Sequence, residues 1–488
     1  MQNIAIKKAF VYFVNLEKIS IFAGAICIQY KKLLYSKTVY IMSNNIYLKK
    51  GLNIPIAGAP AQTTKKVIVP DVVTLKPTDF RGLVPKLLVR EGDKVLAGTP
   101  VMADKMSQDI LFTSPVSGVV AEVVRGEKRK LLEVRIKADA EQEYVDFGAK
   151  KVADLSAEQI KEAILAAGLW PALVQRPYGI IAKPDADPKA IFVSAFSTAP
   201  LAADLPFTHM DDMEHIQTAI DALAKMTGKK VHVSVDGGSP FRKLTNATIH
   251  SFSGQHPAGN VGVQIHHISP IFKGETVWTV STTMLAAIGK LFNNGKLDLK
   301  RKIAVTGPKV NGPAYVDGYP GISMKDIKEF YSNPAELRFV SGDVLTGTNV
   351  GAEGYLGFYD NQITILEEGD KYELLGWAKP CRPKLFSASR TYFSWLTPNK
   401  KYDMDTNLHG GPRAFVVNDV YSKVLPMDLY PVHLLKACLA NDIDNMERFG
   451  IYEVLEEDFA LCEYVCPSKI EIQQILTDGI ALMLKEMC

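Results

Sequence analysis

The chain has 488 residues, 47% of them hydrophobic and 22% charged, with a mean hydropathy of +0.02, a balance that excludes a disordered polypeptide. Six cysteines without a repeating spacing exclude a secreted disulfide scaffold and point to a reducing compartment. The net charge of +3 is concentrated in residues 1–41, which carry six lysines and one glutamate, so the remainder stands at −2 and no basic face for nucleic acid is implied.

Residues 1–41 contain an uncharged run at 19–30, shorter than the ~20 apolar residues a membrane span needs. No small-residue cleavage site closes that run as one would close a signal peptide. Coherent sequence begins at Met42 with MSNNIYLKKGLNIPIAGAP. Residues 1–41 are therefore read as an extension from a start codon placed too early. Nothing later reaches transmembrane length, so a soluble or peripheral protein is expected.

Over 42–150 the stretch VREGDKVLAGTPVMADKMSQDILFTSPVSGVVAEVV alternates short β-rich runs with glycine turns, the pattern of a small barrel of short strands. It is similar to the lipoyl and biotinyl carrier fold, a barrel-sandwich hybrid in which a hairpin lysine holds the prosthetic group. Lys105 falls in that hairpin. Its distance to Ser114-Pro115 is longer than in the lipoyl pattern, and the Met-Lys-Met of biotin carriers is missing, so a plain solvated lysine stands as the alternative.

Residues 151–300 read as a Rossmann-like α/β layer. Ser156 and Gln159 form a capping box for a helix over 157–167 stopped by Gly168. A buried strand over 190–196, an amphipathic helix over 212–227 and a strand over 231–235 then make a βαβ unit. The turn Asp236-Gly237-Gly238-Ser239-Pro240 lacks the third glycine of a dinucleotide fingerprint, and Pro240 removes a backbone donor. In SGQHPAGNVGVQIHHISP, His256, His266 and His267 invite a metal reading. Read as a strand, however, the segment points adjacent histidines to opposite faces, and no cysteine or acid sits among them. Structural histidines, or one imidazole donating to a carbonyl of a flat organic ligand, are the other readings.

Over 301–350 short strands with proline and glycine turns resemble a ubiquitin-like β-grasp module of the soluble-ligand-binding kind (SLBB). A β-rich stretch is expected over 351–425, through Trp377 and Trp395. The chain turns helical over 426–488, with Pro431 at an early helical position and Ser468 with Glu471 as a capping box before the last helix. Cys462-x-x-x-Cys466-Pro467 matches the back half of the ferredoxin pattern C-x2-C-x2-C-x3-C-P. Phe459 and Glu456 stand where its other thiolates belong, so the motif is degenerate and no metal is expected.

This order of parts, with the stretches KKGLNIPIAGAP, HPAGNVGVQIH, LAAIGKLF, YLGFYDNQITIL, LPMDLYP and EEDFALCEYVCPSK, resembles the A-subunit family of the sodium-translocating NADH:quinone reductases from Met42 to Glu486. The C subunit of Rnf complexes is similar in plan but is expected to keep two complete cluster motifs. The resemblance implies a peripheral subunit on the cytoplasmic face of the bacterial inner membrane, in a six-subunit assembly that couples NADH oxidation and quinone reduction to Na+ export. NADH, flavins and iron–sulfur centres would be held by partner subunits, and this chain would contact quinone or organise the complex. If quinone binds, His256, His266 and Trp278 are the nominees, since a quinone pocket needs an apolar wall and one or two donors. A docking subunit without a ligand, an Rnf-C-like electron carrier and a Lys105 carrier are the competing functions.

Overall fold

The computed structural model describes residues 45–369, 371, 373, 375–376 and 382–487. The expected extension over 1–41 lies outside them, as does Trp377. The first module is built from two antiparallel sheets. One joins Val72–Leu75, Leu131–Ala138, Gly118–Arg125 and Lys94–Val95, and the other joins Pro85–Leu87, Pro100–Asp104 and Leu111–Thr113. Period-two alternation buries Val134 and Ile136 from one strand, opposite Val101 and Phe112 from the other sheet.

The α/β layer follows from helix α1 (Ala157–Ala166), whose Ser156–Gln159 capping box is formed in both directions. Strands β1 (Val174–Arg176), β2 (Ile191–Ser194), β3 (Val231–Val235), β4 (Ala247–Gly254) and β5 (Val277–Thr279) lie in the order β4-β3-β2-β5-β1. β2, β3, β4 and β5 run parallel and β1 is antiparallel. The chain leaves β2 for β3 on one side and returns to β5 on the other. The strand ends of β2 and β5 therefore flank the topological switch point, where open α/β sheets place ligands.

Helix α2 (Met213–Thr227) links β2 to β3, α3 (Val261–Ile268) links β4 to β5, and α4 (Thr282–Asn294) follows β5. The histidine-rich segment expected as a strand is thus α3, and it buries Gly262, Val263, Gln264 and Ile265 as a continuous run. Packing against β2 and its surroundings overrides the β propensity of Val261, Val263 and Ile265. Helices α2 and α4 touch at Gly289, where a Cβ would stand 1.8 Å from the His215 carbonyl oxygen.

A third module joins β6 (Arg301–Thr306), β7 (Ala314–Gly318), β8 (Leu337–Ser341) and β9 (Gln362–Glu367) in one sheet. Its far edge is closed by Thr64–Val67, pairing parallel to β7 with Tyr315 opposite Thr64. The expected β-rich stretch over 351–425 is corrected: among the described residues its one longer strand is β9. Beyond it come turns, including a short 3-10 helix at Phe393–Leu396 that holds Trp395.

The tail is helical, with α5 (Pro431–Leu439), α6 (Ile443–Arg448), α7 (Ala460–Val465) and α8 (Ile472–Met487). Pro431 takes the first helical position of α5. The expected Ser468 cap is not used. Ser468 donates to the Ala414 carbonyl at 2.9 Å, and the first-turn N–H of Gln473 goes to Glu463 at 2.8 Å. One contiguous core runs through all three leading modules, from Phe112 through Trp170 and Phe292 to Ile303 and Phe339. Phe80 fastens barrel to third module, with ring centroids 4.5 Å from Phe112 and 5.0 Å from Phe358.

Candidate functional site

At the switch point the chain leaving β4 reaches His256, which is 3% exposed. Its backbone is fixed on both sides: its N–H donates to Asn53 Oδ1 at 2.9 Å and its carbonyl accepts from the Leu52 N–H at 2.9 Å. Ring Nδ1 stands 3.2 Å from Thr198 Oγ1, which already accepts the Gly259 N–H at 2.9 Å. In the tautomer in which Thr198 donates to Nδ1, the proton of the neutral imidazole sits on Nε2. Nε2 is buried and has no partner among the described residues. Gln264, on α3, donates to Ser194 Oγ at 2.9 Å and to the Ala258 carbonyl at 3.1 Å, while its Oε1 is buried and unpartnered. His256 Nε2 and Gln264 Oε1 are thus two buried polar atoms without a partner among the described residues.

Burial pushes the His256 pKa down to about 4, against a weaker pull upward from Asp343. The folded state resists protonation between the ordinary histidine value and about 4, so its stability is complete above that window and falls as pH drops through it. The loss at pH 5 is about 2 kcal/mol. His256→Gln is expected to flatten the acid limb of the stability curve by that amount, measured by denaturant melts at pH 7.5 and 5. His232, also depressed to about 4 by burial and by His250, titrates equally in both proteins. An unchanged acid limb would show that His256 is not held neutral.

Of the other nominees, His266 is spent elsewhere. His266 places Nδ1 2.7 Å from Glu453 Oε2 and accepts the Asp428 N–H on Nε2 at 3.0 Å. Both ring nitrogens are in use. His267 donates Nδ1–H to the Val263 carbonyl at 2.9 Å, one helical turn back. Trp278, 2% exposed on β5, packs edge to face on Trp170 with centroids 5.7 Å apart. Its Nε1 is buried without a partner among the described residues, whereas Trp170 Nε1 donates to the Ala182 carbonyl at 2.7 Å. Among the described residues, no hydrogen bond or ring contact joins His256, His266 and Trp278 to each other.

Sequence reading missed the ionic hub beneath α3. Arg176, at the end of β1 and 2% exposed, donates Nη1 to Asp458 Oδ2 at 3.1 Å and Nη2 to Glu457. Asp458 is 1% exposed, and burial lifts its carboxyl above the ordinary range against the pull of Arg176. Asn260, at the N-cap position of α3, donates to the Glu457 carbonyl at 3.1 Å. Gly262 is required here, because a Cβ would lie 2.3 Å from Asp458 Oδ2 and 2.4 Å from Arg176 Nη1. Arg81 pairs with Glu456 at the rim. The hub ties the helical tail to the α/β layer across 282 residues of sequence, a separation no local pattern announces.

Cys462 and Cys466 are 0% and 1% exposed. Burial and the neighbouring Cys466 push the Cys462 thiol far above its usual value, and Tyr421 Oη lies 3.0 Å from Cys466 Sγ. Both sulfurs are buried, with Phe459 in the core beside them, where a cluster-binding motif would place a third thiolate. Among the described residues no group of three or more His, Cys, Asp or Glu is placed to hold a metal ion. Lys105 is exposed at the hairpin after Pro100–Asp104, its N–H bonded to the Val84 carbonyl at 2.8 Å. The turn at Asp236 leads into a 3-10 helix, Pro240–Lys243, capped by Ser239.

Three family models match: the NqrA N-terminal barrel-sandwich hybrid domain at residues 46–139, the NqrA second alpha/beta domain at 155–297, and the NQRA C-terminal domain at 302–352. The chain is 38% identical, over 89% of its length and 98% of the relative's, to the A subunit of the Na(+)-translocating NADH-quinone reductase of Yersinia pestis bv. Antiqua (strain Angola). It is also 38% identical to the A subunit of the same reductase from Neisseria meningitidis serogroup A, over 90% of this chain and 100% of that one. Among solved structures, the NAD+-reducing [NiFe]-hydrogenase in its air-oxidized state aligns with 70% of this chain and 62% of its own, at 10% identity and a TM-score of 0.34.

Proposed function

The chain belongs to the A-subunit family of the Na(+)-translocating NADH-quinone reductase, and from that premise we propose that it serves such a reductase as a subunit without an electron carrier, touching quinone at His256. In this reading the assembly has six subunits, and NADH, flavins and iron–sulfur centres sit on the others. The chain is a peripheral member on the cytoplasmic face of the inner membrane, with its Rossmann-like layer and helical tail used as a frame. The absence, among the described residues, of a helix long and apolar enough to cross a membrane is consistent with that position. The Rnf-C-like alternative requires thiolates where Phe459 and Glu456 stand.

The observation that carries the quinone reading is the buried, unpartnered Nε2 of His256 at the switch point. A neutral imidazole with its proton on Nε2 is a donor suited to a quinone carbonyl, and an unmet buried donor costs free energy that such a ligand would recover. Of the nominees, His266 has no ring nitrogen left to offer, whereas the Trp278 indole N–H is a second buried donor without a partner among the described residues.

Titration of the purified chain with a short-chain ubiquinone, followed by tryptophan fluorescence, tests the reading. Loss of one hydrogen bond in His256→Ala is expected to weaken binding by about tenfold, with His266→Gln unchanged. Equal affinity in His256→Ala and wild type would remove His256 from the site. A wild-type protein with no saturable response would leave docking as the chain's role.

A further inference from the structure

Between Glu373 and Asp403 the sequence has no acidic residue and six basic ones. Arg382 is paired with Glu373 and lies over the Tyr392 ring, but Lys384, Arg390, Lys400 and Lys401 are exposed with no carboxylate in ion-pair range among the described residues. Amid these cations, the 3-10 helix Phe393–Leu396 exposes Phe393 at 57%, Trp395 at 53% and Leu396 at 60%. Residues three apart in a 3-10 helix eclipse, so Phe393 and Leu396 share a side, with Trp395 beside them.

The base of this segment is held firmly. Tyr402 is 3% exposed, its N–H donates to the Pro55 carbonyl at 2.8 Å and its carbonyl accepts the Ala57 N–H at 2.9 Å. Lys309 bonds Asp403 at 3.0 Å just beyond it. The apolar tip is thus flanked in sequence by cations of one sign and pinned at Tyr402. A solvated loop gains nothing from three large exposed apolar side chains within four residues. An acidic protein surface would pair the same cations, and the vesicle experiment separates it from lipid. Trp, Phe and Leu flanked by Lys and Arg match the layered polarity of a lipid surface, with acyl chains under anionic headgroups.

We propose that the segment 382–401 is a membrane-surface anchor, its 3-10 tip entering the interfacial region and Lys384, Arg390, Lys400 and Lys401 meeting anionic headgroups. The anchor does not depend on the quinone reading. It would hold whether or not His256 binds a ligand.

The test is co-sedimentation of the full chain with quinone-free vesicles of phosphatidylcholine, with and without about 30 mol% phosphatidylserine. Wild-type protein is expected to pellet with the anionic vesicles and to be released by salt. Neutralising two cations in Arg390→Gln/Lys401→Gln is expected to weaken binding by roughly twenty-five-fold, at about fivefold per charge. Phe393→Ser/Trp395→Ser/Leu396→Ser is expected to weaken it further while the melting curve stays in place, since these side chains are exposed. All proteins keep residues 1–41, so any lipid affinity of that segment is common to every sample. Equal pelleting of wild type and both variants, equal pelleting on neutral vesicles, or binding confined to membranes that contain the other reductase subunits would each overturn the proposal, the last by making the segment a protein interface.

Discussion

Replacing Arg176 with alanine is expected to destabilise the protein by about 3–5 kcal/mol, because it leaves the buried Asp458 carboxylate without its cation. Asp458 is 1% exposed and Glu457 shares the same guanidinium, so no solvent can take over the role of Arg176 at Asp458. The deficit has a pH signature. Carboxyls lifted further above their unfolded values favour folding when protonated, so stability lost at neutral pH is regained as pH falls toward the ordinary carboxyl range. Removing the whole set in Arg176→Met/Glu457→Gln/Asp458→Leu is expected to cost far less than the single change, since a matched apolar replacement leaves no charge behind. Urea melts of the three proteins, with hydrogen exchange in α5 to α8, provide the check. A loss under about 1 kcal/mol in Arg176→Ala would mean that the hub is solvated and does not hold the tail.

Gly289→Ala is expected to reverse the usual sign of a helix substitution. In an ordinary helix interior the change from glycine to alanine stabilises by about 1 kcal/mol. Here the new Cβ would stand 1.8 Å from the His215 carbonyl oxygen, and no side-chain rotation can relieve a clash between a Cβ and a backbone atom. Helices α2 and α4 must separate, unpacking Ile216, Ala219, Leu285 and Phe292, which are buried in one core cluster. A loss of about 3 kcal/mol is expected from such overpacking. A thermal melt at or above the wild-type temperature would show that the two helices are not held this close.

What is legible in the sequence is what neighbouring residues decide among themselves. The capping box at Ser156, the proline opening α5 and the βαβ unit through α2 are set by spacings of a few residues. Helix α3 escapes a local reading because VGVQIHH carries β-branched residues and a glycine. Its helicity comes from the ionic hub below Gly262 and the sheet beside it, both remote in sequence. The expected Ser468 cap gives way to Ala414 and Glu463 for the same reason. Of the candidate site, His256 is legible as a histidine in a glycine-rich turn. Its orphan Nε2 is not, because that depends on Thr198 arriving from the chain that follows β2.

The strand Thr64–Val67 gives the chain an unusual schedule at the ribosome. Its partner, β7, is made about 250 residues later, which at translation rates of roughly 5–20 residues per second is a wait of tens of seconds. Throughout that interval a short, mostly polar piece with two lysines, TKKV, stays unpaired, and its charge guards it against pairing with the wrong neighbour. The barrel module that follows it can therefore fold first, while the last sheet is finished from both ends of the polypeptide.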